Sequence, residues 1–166
     1  MPANQELSTA TLAGGCFWGI EHFFRKEFGA KLINLKVGYI GGDVDDPTYL
    51  QVKKGQTGHV EAVQFRFDPK QVSYHELIHY FFRIHDPTTE DRQLNDVGTQ
   101  YRSAIFYHSE DQKLVAQQVI KQVQPKIHGP IITQLVPISR FFCAEEYHQD
   151  YLTINPQGEC NHWLRW

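Results

Sequence analysis

The feature that most restricts the fold of this chain is the order in which two hydrophobic periodicities follow one another. Residues 8–15, STATLAGG, alternate as a short strand and run into two glycines. FWGIEHFFRKEF then places Phe17, Ile20, Phe23, Phe24 and Phe28 at helical spacing, closed by Gly29. KLINLKVGYIGG predicts a second strand and HVEAVQFRFD a third, ended by Asp68-Pro69. Ser73 with Glu76 is a capping box that opens YHELIHYFFRIH as a helix, and RSAIFYH predicts the next strand. Strand, helix, strand, strand, helix, strand is the order of the split βαβ unit, so the expected class is α+β with a ferredoxin-like core.

Further elements should decorate that core. Ser109 with Gln112 opens a helix striped by Leu114, Val115, Val119, Ile120 and Val123; IITQLVPI predicts a strand and AEEYHQDYLTIN a late helix before an extended tail. The 166 residues contain no repeat, linker or low-complexity stretch, so residues 1–166 are expected to form a single domain, with 155–166 a mobile tail. A net charge of −3 without blocks of like charge gives no reason to expect nucleic acid or an acidic membrane surface as partner. MPANQELSTATL lacks the pattern of a secretory signal and no apolar run approaches the ~20 residues of a membrane span, which makes a cytoplasmic location the expectation. Three cysteines at wide spacings are neither a disulfide framework nor a CxxC metal knuckle, leaving thiol chemistry or inert core cysteines.

The segment GGCFWG favours chemistry. Cys16 follows a glycine turn at a helix start, where roughly +0.5 of a charge favours thiolate and draws a cysteine pKa down from ~8.5. Phe17 and Trp18 look surplus to packing, because Ile20, Phe23, Phe24 and Phe28 already supply the helix's buried face. An aromatic corner beside sulfur suits a small apolar group such as a methyl on sulfur. Glu61 shares a strand face with Val63, Phe65 and Phe67. There it is either a carboxyl kept protonated by burial, able to donate a proton, or an ordinary solvated residue at a strand end. Asp96, Tyr101 and Tyr49 could donate or accept hydrogen bonds to a polar substrate atom, or could be turn residues only.

Taken together, GGCFWG, PTY, TGHVEAV, DVGTQYRS and AEEYHQDYL resemble the A-type peptide methionine sulfoxide reductases over nearly the whole sequence. The resemblance implies reduction of the S epimer of methionine sulfoxide, free or in proteins, without metal or organic cofactor. It makes Cys16 the nucleophile, Phe17 and Trp18 the holders of the substrate methyl, and Glu61 the acid that protonates the sulfoxide oxygen. Tyr49, Asp96 and Tyr101 match positions that hold that oxygen or the substrate. Attack would leave Cys16 as a sulfenic acid, which condenses with a second thiol. NPQGECNHW resembles the family's C-terminal Asn-Pro-x-Gly-Tyr-Cys segment, with Glu159 in the Tyr position, and so assigns Cys160 as the resolving cysteine in the tail. Cys143 is expected to be a structural, partly buried thiol. The sequence stops six residues after Cys160, short of the glycine-rich tail of many relatives; a two-cysteine cycle in a monomer, recycled by a thioredoxin-like protein, is expected. The alternatives are a cysteine hydrolase or acyltransferase using one of nine histidines, and a zinc module built on Cys160 and His162 with His148 or His59.

Overall fold

The structure, a computed structural model, describes residues 6–158 and 161–166. Strand β1 (Ser8–Gly14) leads into helix α1 (Phe17–Phe28), and β2 (Leu32–Ile40) follows. After the short α2 (Tyr49–Lys53) come β3 (Val60–Phe67) and α3 (Tyr74–Ile84). A two-stranded hairpin, β4 (Arg92–Gln93) and β5 (Asp96–Val97), precedes β6 (Ser103–Tyr107), α4 (Glu110–Val123), β7 (Gln134–Pro137), β8 (Phe142–Cys143) and α5 (Tyr151–Ile154).

The large sheet has the order β7-β6-β1-β3-β2-β8. Its four inner strands pair antiparallel throughout, with Leu12 opposite Val63, Gly14 opposite Ser103, and Tyr39 opposite Glu61. The strands β1 and β2 thus flank β3, and β3 and β6 flank β1, so each βαβ unit has a strand of the other inserted into it. The strand β7 adds parallel to β6, and β8 adds to the free edge of β2.

Both faces of the sheet are covered. Phe65, Phe67 and Val63 pack with Phe24, Ile20, Leu77 and Phe81 of α1 and α3, while Ala13, Val60, Ala62 and Phe106 form a smaller cluster with Val136, Ile138 and Phe141. This is why the in-out contrast is lost along Ala10–Gly14 of β1 and Val60–Val63 of β3, all of which are buried.

Two local expectations are corrected. The buried stripe of α4 is Gln112, Ala116, Val119 and Val123, and Leu114 faces solvent. Gln112 goes inside because its side chain accepts from the His108 N–H at 2.8 Å and donates to the Thr9 carbonyl at 2.8 Å. The late helix is broken into a 3-10 turn, Glu146–His148, and α5, with Asp150 between them at φ 54°. Its neighbour Gln149 is engaged elsewhere, bonded through its side chain to both N–H and C=O of Val37 in β2.

Candidate active site

Cys16 occupies the N-cap position of α1, as the sequence predicts, with φ −56° and ψ 123° and its carbonyl accepting from the Gly19 N–H at 3.2 Å. The turn that delivers it depends on glycine: Gly15 has φ +96°, and a Cβ there would lie 2.6 Å from Cγ of Gln93. The electrostatic expectation is corrected. The Trp18 and Gly19 N–H groups do pull the thiol pKa down, but burial outweighs them and the Glu61 and Asp96 carboxylates add to it, so the thiol lies well above its ordinary value. At rest Cys16 is protonated.

Glu61, the second residue of β3, is 1% exposed, and its Oε1 accepts from the Phe17 N–H at 3.1 Å. Burial pushes its pKa up to about 8, reinforced by Asp96 and opposed by the Phe17 hydrogen bond and Lys53. The solvated reading of Glu61 therefore fails. The carboxyl is an uncharged acid at neutral pH, tethered to the residue that follows Cys16.

The tyrosines are brought to the same place by short local devices. Thr48 and Gln51 form a capping box around the start of α2, which fixes Tyr49. Tyr101 ends a 3-10 turn in which Gln100 donates to the Lys53 carbonyl at 2.9 Å, joining that turn to the end of α2. Burial first, then the negative charge at Glu61, raises the pKa of both tyrosines, and Cys16 and Asp96 contribute to each. Both hydroxyls therefore remain donors. Asp96 begins β5, pairs with Gln93 across the hairpin, and accepts from Asn161 Nδ2 at 2.8 Å.

The two aromatic residues part company. Phe17 is fully buried within the core cluster, so its ring is not surplus to packing; Trp18 is half-buried. The indole stacks on Tyr151 with centroids 3.7 Å apart and donates to His148 Nδ1 at 3.1 Å. His148 lies in turn against Tyr49 at 4.3 Å and Phe17 at 5.5 Å. Glu145 ties this wall together, accepting from the Tyr39 hydroxyl at 2.8 Å and the Tyr49 N–H at 3.1 Å.

Residues 8–165 match the family model described as peptide methionine sulfoxide reductase. The chain belongs to that family. It is 52% identical to "Peptide methionine sulfoxide reductase MsrA" of Thermus thermophilus over 149 residues, 90% of this chain and 84% of that one. A "Probable peptide methionine sulfoxide reductase" of Schizosaccharomyces pombe is 45% identical over 167 residues, covering 96% and 98%. Among solved structures, reduced Mxr1 from Saccharomyces cerevisiae superposes with a TM-score of 0.93 at 41% identity, covering 99% of this chain and 95% of that one. Mxr1 in complex with Trx2 gives a TM-score of 0.69 at 30% identity, covering 99% and 94%.

Within this reductase fold, Cys16, Phe17, Trp18, Tyr49, Glu61, Asp96 and Tyr101 are joined by the contacts and charges above. Cys160 lies outside the described residues. Cys143, expected to be partly buried, is exposed on the edge strand β8 opposite Gly38. Sequence reasoning missed Glu145 and Tyr39, whose roles come from contacts across more than a hundred residues and leave no local pattern. Three histidines named in the zinc alternative are otherwise engaged: His148 with Trp18, His59 with the Val44 carbonyl at 2.7 Å, and His162 with the Gly14 carbonyl at 2.7 Å. Among the described residues no cluster of His, Cys, Asp and Glu is arranged to hold a metal.

Proposed function

We propose that this protein reduces methionine S-sulfoxide, free or within proteins, through Cys16, and is recycled by a thioredoxin-like dithiol. The observation that carries the reading is the neutral Glu61 acid bonded to the Phe17 N–H beside a protonated Cys16. A sulfoxide oxygen leaves sulfur only when protonated, and Glu61 supplies that proton. The Glu61 carboxylate so formed is the base for the Cys16 thiol proton, so the protonated nucleophile is an asset: one proton leaves Glu61 for oxygen and another replaces it from sulfur. Sulfur attacks the activated sulfoxide, the oxygen is transferred, methionine departs with two more electrons, and Cys16 becomes a sulfenic acid. Tyr49 and Tyr101 hold the oxygen, with Asp96 beside them, while the half-buried Trp18 meets the methyl group and Phe17, buried behind it, backs Tyr49 and His148.

The thiol of Cys160, carried by the tail 155–166, then attacks the sulfenic acid; the S–S bond forms and the oxygen leaves as water. Mxr1, captured with Trx2, supports a thioredoxin-type protein as the reductant of this disulfide. We place the cycle in the cytoplasm, where such dithiols keep thiols reduced. Among the described residues no helix is long and apolar enough to cross a membrane.

The test supplies both epimers of a methionine sulfoxide with dithiothreitol to the protein and to Cys16→Ser. Consumption of the S epimer by the wild type alone is expected. Activity retained in Cys16→Ser, or turnover of an ester without any dithiol, would favour the hydrolase alternative.

A further inference from the structure

The imidazole of His162 is 5% exposed and its Nε2 lies 2.7 Å from the Gly14 carbonyl. A carbonyl only accepts, so Nε2 is the donor. Gly14 is two residues before Cys16, and His162 is two residues after Cys160. One hydrogen bond therefore joins the two segments that carry the thiols of the proposed cycle, each cysteine two positions along the sequence from its end of the bond. A second contact gives the tail its register: Asn161, next to Cys160, donates to Asp96 Oδ2 at 2.8 Å.

The bond serves the tail rather than the turn. Gly14 is already fixed by sheet pairing with Ser103, and the Cys16 carbonyl by the first turn of α1. Further along, the Arg165 backbone N–H donates to the Arg83 carbonyl at 2.8 Å and the Arg83 side chain donates back to the Trp166 carbonyl. Residues 161–166 are thus laid on the body from the thiol turn to α3. Gly15 also gains a second reason: a Cβ there would come within 3.3 Å of His162 Nε2, so a larger residue would crowd the imidazole from its seat.

We propose that His162 is a positioning residue for disulfide formation, a latch that holds the tail in register on the Cys16 turn so that the sulfenic acid is captured quickly. This rests on the Cys16 and Cys160 roles above. Losing the bond lowers the effective concentration of the second thiol at Cys16 without touching a group that meets the sulfoxide.

The experiment is a single turnover with excess methionine S-sulfoxide and no reductant, following methionine release, dimedone-trappable sulfenic acid at Cys16 and loss of free thiol. In His162→Ala the sulfenic acid should persist about tenfold longer than in the wild type, while the first equivalent of methionine forms at an unchanged rate. His162→Gln, which can still donate to Gly14, should recover most of the difference. Disulfide formation at the wild-type rate in His162→Ala would overturn the latch, as would equal slowing of both steps, which marks mere loss of structure. Absence of a methionine burst in the wild type would instead overturn the catalytic reading on which the latch rests.

Discussion

Replacing Glu61 by Gln separates the stability of this fold from its chemistry. The amide keeps an oxygen for the Phe17 N–H, now 3.1 Å away, but cannot ionise. In the wild type, burial raises the carboxyl from 4.5 to about 8. Between those values the folded chain holds a proton that the unfolded chain has released, so stability is fully present at low pH and falls as pH rises, levelling off above the folded value. The full effect corresponds to about 5 kcal/mol as an upper bound, and at pH 7 to about 3 kcal/mol. Glu61→Gln abolishes this loss, and groups that do not sense the Glu61 charge cancel in the comparison. The variant should match the wild type at pH 4.5 and gain steadily to pH 9, where melting should be higher by on the order of 10 °C. Urea or thermal unfolding across that range is the assay. Methionine formation should meanwhile fall at least ~100-fold. A stability difference independent of pH, or one that favours the wild type at pH 9, would refute the buried-acid argument, whatever the activity.

Other variants probe separate parts of the site. Gly15→Ala, forced to φ +96° with its Cβ against Gln93, should lose about 1–3 kcal/mol in denaturant unfolding and misplace Cys16. Trp18→Phe removes the donor to His148 and should raise KM for the sulfoxide more than it lowers kcat, read from steady-state kinetics. Cys143→Ser should leave thioredoxin-dependent turnover intact, whereas Cys160→Ser should stop after one methionine per chain; mass spectrometry showing a Cys16 to Cys143 bond would reverse that assignment.

The parts legible in sequence were those set by neighbours in the chain. The periodicity of residues 17–28 and Gly29 delimit α1 to the residue, and Ser73 and Ser109 each accept the N–H three positions on, as their spacing requires. Leu114 lies off the buried face because period outranks hydrophobicity there: positions 112, 116, 119 and 123 share a face, and Leu114 does not. The late helix is shorter than its periodicity predicts because Gln149 serves β2 and the Asp150 N–H donates to Glu21 at 2.8 Å, both demands from residues more than a hundred positions away.

The same division between local and distant causes explains Cys16. Its place at the helix start was visible in the sequence, and the N–H groups that favour thiolate are there. What the sequence could not show is how much water the folded chain removes, and desolvation is the largest influence on the thiol. The face on which Glu61 lies, by contrast, could be read from a strand's alternation, although its burial comes from cover on both faces of the sheet, since Val60 and Ala62 are buried as well. Because burial raises both groups, the site stores two protons, one on each reacting partner. A sulfoxide reduction consumes one at oxygen and liberates one at sulfur, so a site that ionised Cys16 in advance would leave Glu61 as a carboxylate to be reprotonated from solvent. The helix dipole then acts where it is needed, on the thiolate that forms as the proton leaves, rather than on the resting thiol.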